Sequence, residues 1–334
     1  MTEAVAGFDA NETRARDARG LLPWPLGLLA AAIWAGTAAA TALLPDVIPW
    51  GSTNTFAALT GIVALLIASA GIFLTRLPTR IQDTLKYYGP WLLAIGIWFL
   101  LWELVTAKTG WLPKPFFSPP QGLLQVYVSD WERLLICIAY TLRLWALGFS
   151  LGIFAGYLLG LALGWSKAFS YWGMPLLKLI GPVPASAWIP VTFYFFPTTF
   201  QASIFIVALS CGIPVAILTA SGVGAINKSY YDVARTMGAK TPYLIRHIAV
   251  PASLPHVFVG LFMGLYYSFA VLVVAEMLGA KYGLGWYIQF QTAYSGYANV
   301  YATLVIMALI CAGLVRALFA VRGRLLRWQE GFIT

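Results

Sequence analysis

The chain has 334 residues, 60% hydrophobic and 10% charged, where soluble domains carry roughly 25% charged residues. With a mean hydropathy of +0.79, these values exclude a soluble globular protein and describe an all-α polytopic membrane protein. The formal charge of +9 therefore raises a question of loop topology before one of nucleic-acid binding.

Taken in chain order, residues 1–22 are polar and of mixed sign and read as a tail. Two apolar runs follow, Leu26–Leu44 and Thr55–Thr75. The first is long for the apolar core of a signal peptide, although an Ala-x-Ala pattern lies within Ala38–Ala42, so it reads as a span. Pro90–Ala107 is the third run, with Glu103 near its end as an interfacial or snorkelling group. Leu134–Trp165 is long enough for its first part, bearing Arg143, to lie along the interface before the chain enters the bilayer. Leu179–Phe196 is broken by Pro182, Pro184 and Pro190; Phe200–Val223, Val257–Gly279 and Val300–Val321 complete eight expected spans.

Lys and Arg orient these spans. With the N-terminus inside, the inner segments hold Arg14, Arg16, Arg19, Arg76, Arg80, Lys86, Lys167, Lys178, Lys228, Arg235, Lys240, Arg246, Arg322, Arg324 and Arg327, while the outer segments hold only Lys108, Lys114, Arg133 and Lys281. The bias places both termini in the cytoplasm. The basic balance thus reads as topology, with no nucleic-acid partner. Cys137, Cys211 and Cys311 show no paired spacing and read as small buried hydrophobes. His247 and His256 stand without clustered carboxylates, so no metal site is expected, and no nucleotide-binding or hydrolase motif occurs. An enzyme is not expected.

One stretch interrupts the apolar pattern: SYYDVARTMGAKTPYLIRHIAVPASLP, residues 229–255. Ser229 stands three residues before Asp232, a capping-box spacing. The first helix runs through Tyr231, Val233, Ala234, Arg235 and Met237, and Gly238 ends it. Thr241 and Pro242 start a second short helix, and Pro251 and Pro255 return the chain to the membrane. A two-turn helix is unstable alone in water. Tyr231, Val233 and Met237 offer apolar contact, Ala234, Gly238 and Ala239 allow close approach, and Arg235 and Lys240 supply charge at the rim. Residues and spacing alone leave two readings open, a helix docked in a partner's groove and a loop lying on lipid headgroups.

The stretch resembles the EAA motif of binding-protein-dependent ABC importer permeases: Glu-Ala-Ala, three residues, Gly, nine residues, Ile, one residue, Leu-Pro. Here it reads Asp232-Val233-Ala234, then Gly238, Ile248 and Val250-Pro251, with every interval kept and Asp, Val and Val replacing Glu, Ala and Leu. Further segments, SPPQGL at 118–123, residues 141–164, GPVPASAWIPVTFYFF at 181–196 and VVAEMLGAKYGLGWYI at 273–288, resemble the nitrate/sulfonate/taurine/bicarbonate-like subfamily. The resemblance implies a six-helix type I permease core over 89–328, an added two-helix extension over 23–88, a coupling loop at 228–251 and a short tail at 329–334.

It also implies partners: two ATP-binding cassette subunits, a second permease copy or paralogue, and an extracytoplasmic solute-binding protein. The chain is then expected to hold no cofactor, ATP and Mg residing in the ATPase subunits, and to sit in a bacterial inner membrane among lipid. Tyr231, Asp232, Val233, Ala234, Arg235, Met237, Gly238, Ala239 and Lys240 are the implied ATPase-coupling residues, with Ser229, Ile248 and Pro251 supporting the loop. The expected cargo is a small anion, with a vitamin precursor, an aromatic acid or a secondary-transport mechanism as alternatives. Glu276, Tyr266, Tyr267 and Arg143 are candidates for pathway or gate, with Glu276 favoured as a structural carboxylate bound by nearby loop N–H groups. Gly152, Gly156, Gly160 and Gly164 recur every four residues, a small-residue face for helix packing within the chain or against a second copy.

Overall fold

In hydrocarbon every backbone N–H and C=O must be paired within the chain, so the apolar runs have to be helices. The computed structural model describes residues 24–327, and the expected tails at 1–22 and 329–334 lie outside them. Among the described residues, seven helices are long and apolar enough to cross a membrane. They belong to α1 (Pro25–Leu43), α2 (Thr53–Ile72), α3 (Thr79–Glu103), α5 (Trp131–Trp165), α8 (Thr199–Gly224), α11 (Val250–Gly279) and α13 (Tyr297–Leu325). Shorter helices lie between them: α4 (Pro120–Ser129), α6 (Lys167–Ile180), α7 (Ile189–Phe195), α9 (Lys228–Thr236), α10 (Thr241–Leu244) and α12 (Leu284–Ala293).

Three expectations about the spans change. The run expected at 179–196 is a bent pair: α6 starts at Lys167, and the chain turns by 90° before a 3-10 turn and α7. Pro182 and Pro184 have no N–H with which to continue the hydrogen-bond ladder of α6, whereas Pro190 sits in the first turn of α7, where no N–H is needed. The helix expected to begin at 90 begins at Thr79 and carries Pro90 inside it. The long run does not split into interfacial and inserted parts: α5 is one helix of 35 residues.

By packing, the described residues divide into two compact units, 24–129 with 295–302, and 130–294 with 303–327. In the first unit α1 packs on α2 and α3. Ala30, Ala31, Trp34, Ala64 and Ile67 form its core, and Trp34 donates its indole N–H to Leu92 O at 3.0 Å. Buried Thr37, Thr41 and Thr60 return their hydroxyls to carbonyls one turn back, which removes the penalty of burying them. The α1 C-terminus is closed by a lysine from α3's extension: Lys108 Nζ donates to Thr41 O at 2.9 Å, to Leu44 O at 2.8 Å and to Asp46 at 2.6 Å. Glu103 is wholly buried beside it. The snorkelling expected of Glu103 does not occur, because its carboxylate points into this polar cluster.

In the second unit α8 is the central helix, packed on one side by α5 and on the other by α11. The glycine face of α5 makes the first contact. A Cβ at Gly152, Gly156 or Gly160 would meet the carbonyl oxygen of Ala208, Gly212 or Ala216 at 2.5, 2.4 and 2.5 Å. Between packing within the chain and packing against a second copy, the face serves the former. Cys137 and Cys211 are fully buried in this unit, as expected, while Cys311 is half-buried.

Two outcomes are expected on thermal unfolding of the purified protein. Gly156→Ala lowers the melting temperature, whereas Gly36→Ala, whose new methyl meets nothing within 4 Å, leaves it unchanged or slightly raised. Lys108→Met leaves the half-buried Asp46 without its cation and the carbonyls of Thr41 and Leu44 without their donor, and destabilises the first unit by about 3–5 kcal/mol.

The candidate coupling hairpin and solute cavity

The polar hairpin starts one element earlier in its logic than the sequence suggests. Asn227, not Ser229, caps α9: Asn227 Oδ1 accepts from the Ser229 N–H and from its hydroxyl, both at 3.0 Å. Ser229 is already inside the helix, so the Ser229–Asp232 capping box does not form. The helix ends as expected. Gly238 has φ +85, and the Ala239 N–H returns to Ala234 O at 3.0 Å. The second short helix does not stand alone. Lys240, not Thr241, occupies its cap position, and α10 runs through a π turn at Ile245–Ala249 directly into α11. Thr241–Gly279 is therefore one membrane-length helix with the hairpin at its foot.

The faces of α9 divide by contact. Tyr231 turns inward, its ring edge-on to Trp165 at the end of α5 with centroids 5.6 Å apart. Burial pushes its phenol above the ordinary value. Tyr230, Val233 and Met237 lie outward, exposed by 66%, 60% and 84%, at the i, i+3, i+7 spacing of one helical stripe. Tyr230 belongs to this stripe although the motif comparison passes over it. Arg235 reaches only to Asp232, 3.8 Å away on its own helix and exposed, a contact of little energetic weight. Ala234 and Ala239 are half-buried, and Lys240 is exposed. Asn227, Ile248, Pro251 and both histidines, with the exposed Tyr230 at the rim, line a cavity of ≈ 620 Å³ beside the hairpin. Among the described residues no cluster of three metal-ligating side chains occurs.

A second cavity, of ≈ 800 Å³, opens between the broken segment after α6, the middle of α8 and the middle of α11. Pro184, Ser186, Ser210, Pro214, Met263 and Tyr267 line it, and Lys178 is the one charged residue on its wall. Tyr267 thus reaches this cavity. Tyr266, its neighbour, is exposed and is not part of the wall.

Glu276 is wholly buried away from that wall. Its carboxylate accepts from the Thr141 hydroxyl at 2.8 and 3.0 Å and from the Gly285 N–H at 2.8 Å. The same Thr141 oxygen accepts from the Leu284 N–H at 2.8 Å. Gly283, at φ +123, makes the turn that lets the loop wrap the carboxylate, and a Cβ there would sit 2.5 Å from Glu276 Cδ. The group is a structural lock between α5, α11 and the start of α12. Arg143 is exposed, its guanidinium 5.5 Å from the Phe200 ring centre. It lies 22 residues from Trp165, about 33 Å along the helix at 1.5 Å per residue, against a hydrocarbon thickness of about 30 Å. With Trp165 at the hairpin-side boundary, Arg143 emerges at the opposite interface, so an unbroken α5 needs no charge in the hydrocarbon.

Residues 148–328, just over half of the chain, match the family described as binding-protein-dependent transport system inner membrane component. The chain is 32% identical over 253 residues to the nitrate import permease protein NrtB of Leptolyngbya laminosa, covering 72% of this chain and 82% of the relative. It is 26% identical to the taurine transport system permease protein TauC of Escherichia coli, over 76% of this chain and 93% of the relative. A solved amino acid ABC transporter shares the fold with a TM-score of 0.50 at 16% identity, over 60% of this chain and 97% of that one.

Thr141→Val removes one partner of Glu276 and the acceptor of the Leu284 N–H together. Its expected effect is a loss of about 1–3 kcal/mol for the groups left unpaired, read as a lowered melting temperature.

Proposed function

Because this chain belongs to the binding-protein-dependent transport system inner membrane component family, we propose that it is the permease subunit of an ATP-driven importer in the nitrate/sulfonate/taurine/bicarbonate-like group. The observation that carries the reading is the free apolar stripe of Tyr230, Val233 and Met237 on a hairpin rooted in long membrane helices. A nine-residue helix with such a face needs a groove to lie in. The groove is that of a cytoplasmic ATPase, one of two that hold ATP and Mg. The chain itself makes and breaks no bonds. A second permease, identical or paralogous, faces the ≈ 800 Å³ cavity, and an extracytoplasmic binding protein delivers the solute. The hairpin and both termini face the cytoplasm of a bacterial inner membrane, with 23–88 as an extension and 89–328 as the permease core.

Closure of the ATPases on ATP moves the hairpin. Its force passes two ways: through Tyr231 and Trp165 into α5, and through the unbroken Thr241–Gly279 helix to Met263 and Tyr267 on the cavity wall. The solute is a small anion such as nitrate, a sulfonate, taurine or bicarbonate. One observation favours a second cargo: aliphatic side chains and prolines dominate the cavity lining and Lys178 alone is charged, which suits an organic acid or vitamin precursor with an apolar body.

The reading is tested by crosslinking from a cysteine placed at Met237 or Ala234, in a chain freed of its three native cysteines and co-expressed with its ATPase. A crosslink whose yield changes with ATP is the expected result; none, with both proteins folded, returns the hairpin to a loop on the headgroups and reopens secondary transport. Met237→Asp is expected to cut transport and solute-stimulated ATP hydrolysis by about tenfold or more, the loss of one apolar anchor, while leaving the protein in the membrane at wild-type levels.

A further inference from the structure

The first unit contains a buried polar cluster for which solute transport has no use. Lys108 has three protons, and each is spoken for by Thr41 O, Leu44 O and Asp46 Oδ1. Glu103 Oε1 stands 3.6 Å from Lys108 Nζ, beyond a hydrogen bond, and accepts from Gln121 Nε2 at 3.2 Å. The second oxygen of Glu103 and the amide oxygen of Gln121 are both buried and have no donor. Both side chains are fully enclosed, at 0% exposure. The charged groups facing Glu103 are Lys108, on its own helix, and Asp46, on the α1–α2 loop, whose other oxygen accepts from Thr53 at 2.7 Å. α4 contributes only the neutral Gln121. Asp46 and Lys108 cancel, so a carboxylate at Glu103 leaves one negative charge unbalanced on a fully enclosed side chain, together with two oxygens that lack donors.

One proton removes both faults. We propose that Glu103 is a proton-binding site: its carboxyl is held as the neutral acid, with the proton on Oε2 directed to the Gln121 carbonyl while Gln121 Nε2 donates back to Oε1. Acid and amide then complete each other, each giving one hydrogen bond and taking one. Asp46 and Lys108 are left as a balanced pair, and the closure of α1 by Lys108 is linked to that proton. A monovalent cation is the competing occupant, but it would stand beside the Lys108 ammonium as a second positive charge, and a proton needs no volume. The site lies outside the residues 148–328 that match the family.

The test is infrared spectroscopy of the full-length protein in lipid nanodiscs at neutral pH. The expected result is a protonated-carboxyl band that shifts on carbon-13 labelling of glutamate and is missing from Glu103→Gln. That variant is expected to melt at the wild-type temperature, because its amide supplies the same donor at the same position, whereas Glu103→Ala melts lower. Should Glu103→Gln fold poorly, the band is sought in Glu276→Gln, which keeps Glu103; no glutamate-derived protonated band in that variant or in the wild type overturns the proposal. Sodium exchanged for choline at constant ionic strength is expected to change neither the band nor the melting temperature, and a rise in melting temperature with sodium assigns the site to a metal cation instead.

Discussion

The close contact between α5 and α8 is the constraint from which the rest of the second unit follows. Lipid tails are as apolar as leucine, so apolarity alone does not drive two helices together in a bilayer, and close van der Waals packing must do it. Glycine every four residues on α5 brings its backbone against the carbonyls of Ala208, Gly212 and Ala216. α8 repeats the device on its other side, where Gly260 of α11 meets Val215 Cα and Gly264 meets Cys211, at 3.0 and 2.8 Å for an added Cβ. Three helices are thereby held at distances that admit no added methyl group.

A rod fixed this closely can carry load at both ends. On the hairpin side Trp165 of α5 holds Tyr231. At the far end Thr141 of the same helix binds Glu276 and the Leu284 N–H. Glu276 ends the long helix that the hairpin begins, so α5 and α11 are pinned to one another near one face and joined through the hairpin at the other. The large cavity opens along α8 and α11 between those two pins. Its wall combines helix positions with the bent segment after α6, where prolines forbid a continuous helix and leave a concave, apolar surface.

The first unit is built differently. Its core is aromatic and alanine-rich, with Trp34 bonded to Leu92 O, and its polar closure lies at one end, where Lys108 supplies donors to the orphan carbonyls of α1. A buried cation at a helix C-terminus complements the dipole there. Lys108 and Asp46 answer each other and Gln121 meets one oxygen of Glu103, so none of the three serves as a surface charge.

Much of this was legible in the residues. Seven of the eight spans follow from apolar run length, because hydrocarbon thickness sets helix length; Gly238 marks a helix end because its left-handed conformation suits glycine; the four-residue glycine period announces a packed face. What the residues left open was always a partner. Periodicity says which side of α5 is small but not that α8 lies against it, and it shows Tyr231 as apolar contact without showing that Trp165 claims it while Tyr230 stays free. Asn227 displaced Ser229 as the cap because both residues can accept from the same helix end, and only backbone geometry chooses between them. Asp46 and Gln121 are far in sequence from the Glu103 and Lys108 pair and share no spacing with it, so their cluster is a product of tertiary packing. The sequence by itself thus determined which runs are apolar and long enough to span and which motif interrupts them, since these rest on local sterics and on transfer from water to lipid. Tertiary structure decided which buried polar group answers which, because that depends on residues brought together only by the fold.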